Sequence, residues 1–221
     1  MEQENQTSAP DAGAKPASKP FARRYGFPIA VLVLCVILGG YLLWSQKSGS
    51  KLPDLGAAPD FTYQDIDGKT VKMSDLNGKV RLVYFFYTNC PDVCPPTTFM
   101  LSQVQEKLKA DGQFGSDVEI VSVTIDPQRD TPEVLRKFGD KFKADYAGWR
   151  FLRGDEAATA DLAKKYGLLA VKGEDGFFSH ANLIVLVDKK GRMRDQIIPE
   201  SSGIPDTADA DDVYASVKSL L

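Results

Sequence analysis

The sequence predicts an α/β fold with a central mixed sheet flanked by helices and preceded by one transmembrane helix. Three observations carry that prediction. Residues 26–44 form a run of 19 positions without a formal charge. Residues 80–87 and 118–125 are two continuous apolar and aromatic runs of the kind found in strands buried on both faces. Between and after them come stretches of helical character with their own start signals.

At 221 residues the chain has room for one ordinary domain beyond the apolar run. Lys and Arg total 27 against 30 Asp and Glu, a net charge of −3. Binding to a nucleic acid calls for a basic face, so no nucleic-acid partner is expected. Residues 1–24 have almost nothing apolar to bury until near their end and are expected to be a disordered cytoplasmic tail.

The transmembrane anchor is assigned to residues 25–45. Its uncharged part would span roughly 28 Å as a helix at ~1.5 Å per residue, just enough to cross a bilayer. A cleaved signal peptide is the competing reading, but the apolar length exceeds an h-region and no small-x-small site follows Trp44. Lys19, Arg23 and Arg24 precede the span and Lys47 follows it, which leaves the N-terminus in the cytoplasm. The expected placement is therefore a single-pass protein of the inner (cytoplasmic) membrane with a periplasmic domain. Cys35, inside the run, reads as apolar filler.

A linker over residues 46–54 leads to the domain at 55–221. Residues 61–64 and 70–72 flank Asp67-Gly68, a hairpin signal. Residues 80–87, a helix over 96–109 and the strand 118–125 form a βαβ unit. Asp130-Thr131-Pro132-Glu133 announces the next helix, with a capping side chain ahead of a first-turn proline and an acid at the positive end. Another helix is expected over 156–166. Residues 183–187 and 194–198 read as a hairpin around Asp188-Lys189-Lys190-Gly191-Arg192, and 209–220 as a closing helix. No internal repeat is visible.

The chemistry concentrates at Tyr87-Thr88-Asn89-Cys90-Pro91-Asp92-Val93-Cys94-Pro95-Pro96, where the first buried strand ends and a helix begins. Sites in α/β sheets gather at that carboxyl edge. Three cysteines are too few for a disulfide scaffold, and Cys90 and Cys94 lie so close that reactivity is a better reading than stapling. A helix N-terminus favours the thiolate that nucleophilic attack and metal binding both require. The prolines restrict the loop. Sulfurs about one helical turn apart can close a disulfide or grip one soft metal ion. Two thiolates suit Cu(I), and an added imidazole makes a trigonal site open to either oxidation state of copper. The chain has one histidine, His180, in Gly176-Phe177-Phe178-Ser179-His180 just ahead of the strand at 183–187.

Three stretches in register, Cys90-Pro91-Asp92-Val93-Cys94-Pro95, Asp126-Pro127-Gln128-Arg129-Asp130-Thr131-Pro132, and His180 eight residues before Asp188, resemble the Sco/SenC family of copper proteins. The resemblance runs from about Leu55 to Leu220 in the family's order and spacing. It implies a thioredoxin-like fold and one copper ion, Cu(I) or Cu(II), held by Cys90, Cys94 and His180. It also implies a role in assembling the copper centre of cytochrome c oxidase, with the copper-bearing subunit of that enzyme and an upstream copper donor as partners and the membrane engaged through the N-terminal helix. Where the family usually has Asp before the histidine and Ser after it, this chain has Ser179 and Ala181, so the groups around the imidazole differ.

Blander readings stand beside these. A lone histidine is more often structural than a ligand, and only its register with the cysteines reverses that judgement. Asp126, Arg129 and Asp130 are read as turn and cap chemistry rather than catalytic carboxylates. Tyr84, Phe85, Phe86 and Tyr87 are read as core. The competing function is enzymatic: thiol:disulfide exchange through a reversible Cys90–Cys94 disulfide, reducing the cysteines of a copper acceptor, or peroxide consumption as in the peroxiredoxins. Reductases of the thioredoxin type carry a tighter CxxC, and a peroxiredoxin has no need of a histidine ligand, so CxxxC with His180 ranks the copper carrier first. Carrier and exchange roles are compatible if they alternate in time.

Overall fold

The computed structural model describes residues 21–47, 52–168, 170–173, 178–180, 182–199 and 207–221, with only the backbone described in 21–26, 41–47, 170–172 and 178–180. It divides into two units, Met1–Ser50 and Lys51–Leu221.

The first unit contributes α1, Phe21–Lys47, a 27-residue helix. Pro28 lies inside it. Among the described residues no helix is long and apolar enough to cross a membrane. α1 contains the expected span, but its described side chains are those of residues 27–40 alone.

The second unit is a seven-stranded sheet flanked by helices. Its strands are β1 (Thr62–Asp65), β2 (Thr70–Lys72), β3 (Val80–Phe86), β4 (Val118–Thr124), β5 (Trp149–Arg153), β8 (Ile184–Val187) and β9 (Met193–Ile197), in spatial order β2-β1-β5-β4-β3-β8-β9. The sheet is mixed: β3, β4 and β5 run parallel, whereas β1 on β5, β8 on β3 and β9 on β8 are antiparallel. Every residue of β3 and β4 is buried, as expected of central strands covered on both faces. A separate two-stranded ribbon joins β6 (Ala170–Lys172) to β7 (Phe178–His180), with Ala170 opposite His180.

Three of the four described helices of this unit start where a side chain satisfies their free N–H groups, and the fourth starts on prolines instead. α2 spans Cys94–Ala110, beginning two residues before the expected start because Pro95 and Pro96 fit a first helical turn, where no backbone donor is needed. α3 (Pro132–Lys141) is capped by Thr131, whose side chain accepts from the Val134 amide. α4 (Glu156–Lys165) is capped by Asp155, and α5 (Ala210–Lys218) by an Asp209/Asp212 capping box. Ion pairs tie α5 to α2: Lys107 meets Asp211 at 2.7 Å and Lys218 meets Asp111 at 2.8 Å. β5, the β6–β7 ribbon and a single 3-10 turn at Met73–Leu76 are elements that the sequence reading did not anticipate. β5 is short and aromatic, and its place between β4 and β1 is set by pairing with strands far away in the chain.

Candidate metal centre

β3 carries the chain through the core and releases it at Tyr87, and the loop at 88–93 returns it to the start of α2. The loop is held from below. Asp130, fully buried, accepts the Thr88 amide at 3.1 Å and the hydroxyls of Thr88 and Thr124. Burial pushes the Asp130 carboxyl up, against the pull of the Thr124 and Thr88 hydrogen bonds. Asp126 and Arg129, from the same stretch, pair with each other. Asp130 thus reaches inward to brace the cysteine loop while Thr131 caps α3.

Within the loop the Cys90 amide donates to the Tyr87 carbonyl at 3.3 Å. The Cys94 amide, at the first position of α2, donates to Cys90 Sγ at 3.4 Å. Both cysteines are in the reduced form, and both are buried, Cys90 at 7% exposure and Cys94 at 0%. Thr98 donates to the Cys94 carbonyl at 2.7 Å.

Helix polarity alone predicts an acidified thiol, and at Cys94 the tertiary structure opposes this. The hydrogen bond shared with Cys90 and then burial push the Cys94 thiol far above its usual range, outweighing the opposing contributions of the Tyr87 backbone and the Tyr84 hydroxyl. Cys94 therefore holds its proton more tightly than an ordinary cysteine, and a soft cation that binds both sulfurs must displace it.

Tyr84 was expected to be core, and its ring is. Its hydroxyl, however, is buried without a hydrogen bond of ordinary geometry and lies beside the Cys94 thiol and the Thr97 hydroxyl. Burial, and after it the neighbouring Cys94, hold the phenol well above its usual range. Thr97 in turn accepts from the Nδ2 of Asn182 at 2.7 Å. The sequence reading did not single out Asn182. The available signal was an amide directly ahead of an all-apolar strand and two residues after His180.

His180 is the last residue of β7, four positions before β8 begins. Its side chain lies outside the described residues, as do Gly176, Phe177 and Ala181. Among the described residues no three His, Cys, Asp or Glu side chains converge as a metal cluster. What the described residues supply is two adjacent buried sulfurs, a donor set fitted to a soft ion.

The SCO1/SenC family model matches residues 51–216. The chain belongs to the SCO1/SenC family. Among its relatives, the SCO1 protein homolog of Bacillus subtilis is 35% identical over 163 residues, covering 72% of this chain and 80% of the relative. The structure of BsSco, a member of the Sco family of cytochrome c oxidase assembly proteins in which a disulfide switch was identified, superposes with a TM-score of 0.65 at 31% identity, covering 77% of this chain and 98% of that one. The copper-bound ScoI of Bradyrhizobium japonicum superposes with a TM-score of 0.60 at 30% identity, covering 75% and 99%. The second unit accordingly has the thioredoxin-like α/β fold of the Sco structures, a mixed sheet flanked by helices.

Proposed function

We propose that this protein is a membrane-anchored copper carrier that holds copper, as Cu(I) or Cu(II), on Cys90, Cys94 and His180. In this reading it passes the ion from an upstream donor to the copper-bearing subunit of cytochrome c oxidase. The observation that carries the reading is the reduced, buried pair at the head of α2, with the Cys94 amide on the Cys90 sulfur. Two sulfurs held this way suit a soft ion, and the copper-bound ScoI relative supports copper as that ion. The membership of BsSco among cytochrome c oxidase assembly proteins supports the destination.

The anchor is proposed on α1. Phe27 is 83% exposed and Leu32 and Val36 are 66% exposed. Apolar side chains stand on all sides of the helix through residues 27–38, which suits lipid and is costly in water. With Arg23 and Arg24 ahead of it, the N-terminus is assigned to the cytoplasm and the copper domain to the periplasm. A reporter fused after Leu221 is expected to be active only outside the cytoplasm, and the opposite result removes this placement.

Thiol:disulfide exchange ranks second, because a thiol that attacks another protein's disulfide needs access and both sulfurs here are buried. The variant His180→Ala separates the two functions. Two thiolates still hold Cu(I), so that affinity falls only in part, while Cu(II) binding collapses for want of a nitrogen ligand. Disulfide exchange continues at a similar rate. If oxidase assembly fails in this variant while exchange persists, the carrier reading stands; unaffected assembly puts exchange first.

A further inference from the structure

A second polar site lies at the other end of β3, away from the cysteines. Arg81, the second residue of that strand, is 1% exposed. Nη1 donates to Asn77 Oδ1 at 2.8 Å and Nη2 to the Asp188 carbonyl at 2.7 Å, both neutral acceptors, and Nε has no partner. Among the described residues no carboxylate lies within ion-pairing distance of Arg81. That contrasts with its neighbours: Arg150 pairs with Glu119 at 2.6 Å, and Arg194 with Asp188 at 3.0 Å. Burying a guanidinium without a counter-charge is unfavourable by several kcal/mol, so an unpaired one calls for a reason.

Arg81 lines a pocket of about 90 Å³ together with Asp60, Ser74, Asn77, Lys190 and Gly191. One water needs roughly 10–15 Å³ by the same measure, so the space suits a molecule of several heavy atoms. Lys190, exposed and without an ion pair among the described residues, adds a second positive charge at the rim. The one acid in the lining is already engaged: Asp60 Oδ1 accepts the amides of Phe61 and Ser74, and Oδ2 faces Lys72 at 3.6 Å. Gly191, at φ 78°, brings the turn close, since a Cβ there would stand 2.9 Å from Asn77 Oδ1. The pocket thus has two cations outside any ion pair among the described residues, one carboxylate already held by two amides and facing Lys72, and a small volume.

We infer that this pocket binds a small oxyanion, a phosphate or a short carboxylate, seated on the Arg81 guanidinium with Lys190 closing over it. A guanidinium meets two oxygens of either group at once, and the ion supplies in direct contact a counter-charge that Asp188 and Glu119 exert on Arg81 only from beyond ion-pairing distance. Five residues of β3 beyond Arg81, roughly 16 Å at ~3.3 Å per residue, separate the pocket from the cysteine loop. The inference is independent of copper.

The test is titration calorimetry of the full-length protein in detergent with sodium phosphate or sodium acetate, ionic strength held constant with chloride. One saturable site per chain is expected for at least one of the two anions, and the tighter binder identifies the ligand class. Copper binding should be unchanged by the anion. Arg81→Met should abolish the site. Should that variant not fold, Lys190→Glu, at an exposed position, is expected to weaken binding about fivefold or more. Absence of saturable binding with both anions, or an affinity unchanged in Lys190→Glu, overturns the inference.

Discussion

The side-chain amide of Asn182 donates to the Thr97 hydroxyl at 2.7 Å, joining the segment that follows His180 to the helix that begins at Cys94. The two residues are 85 positions apart. If Cys90, Cys94 and His180 share one ion, this bond helps fix the spacing between the sulfurs and the histidine strand. Asn182→Ala should lower apo stability by roughly 1–3 kcal/mol, the range for opening a buried hydrogen bond. It should also weaken Cu(II), which needs the imidazole, more than Cu(I). Thermal unfolding and parallel Cu(I) and Cu(II) titrations check this; equal losses for both ions would mean that Asn182 serves the fold alone.

Tyr84→Phe removes a buried hydroxyl that lacks a hydrogen bond of ordinary geometry. Apo stability should hold or rise by about 1 kcal/mol, since no well-formed bond is lost. The hydroxyl lies beside the Cys94 sulfur, where it favours negative charge. Its loss should therefore leave a more electron-rich thiolate and lower the Cu(II)/Cu(I) potential. Redox titration of the copper-loaded variant reads this directly, and an unchanged potential would exclude Tyr84 from tuning the site.

Glu119 sits in the middle of the sheet with its side chain fully buried, between Lys79 at 2.6 Å and Arg150 at 2.6 Å. Burial pushes its carboxyl up, but the hydrogen bonds and charges of Arg150 and Lys79 outweigh burial and hold it below the usual 4.5. A carboxyl lowered in the folded state adds stability above its unfolded pKa, and that stability is lost as pH falls through the folded value. Glu119→Gln should be less stable near neutral pH by roughly 3 kcal/mol, the low end for breaking a buried pair, because both cations are partly exposed. Unfolding curves between about pH 7 and pH 3 should show the gap narrowing in acid. A gap independent of pH would mean that Glu119 acts through packing.

Copper should bind to the reduced protein at one ion per chain and be lost once Cys90 and Cys94 are joined, because a disulfide sulfur has given up the thiolate that the metal needs. Metal analysis before and after oxidation decides this, and copper retained on the oxidised chain would remove the cysteine pair from the site. The apo domain should still unfold cooperatively, since β3, β4 and β8 are buried throughout and form a core that needs no ion. A gradual transition in the metal-free form would show the opposite.

Much of this architecture is legible along the chain because it rests on near neighbours. The continuous apolar runs become β3 and β4, the Thr131-Pro132 signal opens α3, and Cys90 and Cys94 fall at a strand-to-helix junction. Strand periodicity, capping and a four-residue spacing are local properties, and local properties survive in a one-dimensional string. β5 escaped notice for the converse reason, being a short segment stabilised by partners on β4 and β1 rather than by its own pattern.

The sequence by itself determined the α/β order of elements, the cysteine pair and the family to which the pair belongs. Only the tertiary structure decided the state of the groups around that pair. Asp130 reaches 42 residues back to hold Thr88, the Cys94 thiol is pushed up where a helix terminus alone would lower it, and Arg81 is enclosed with its Nε unpartnered. Burial and charge are sums over everything nearby in space, and most of what lies nearby in space is distant in the chain.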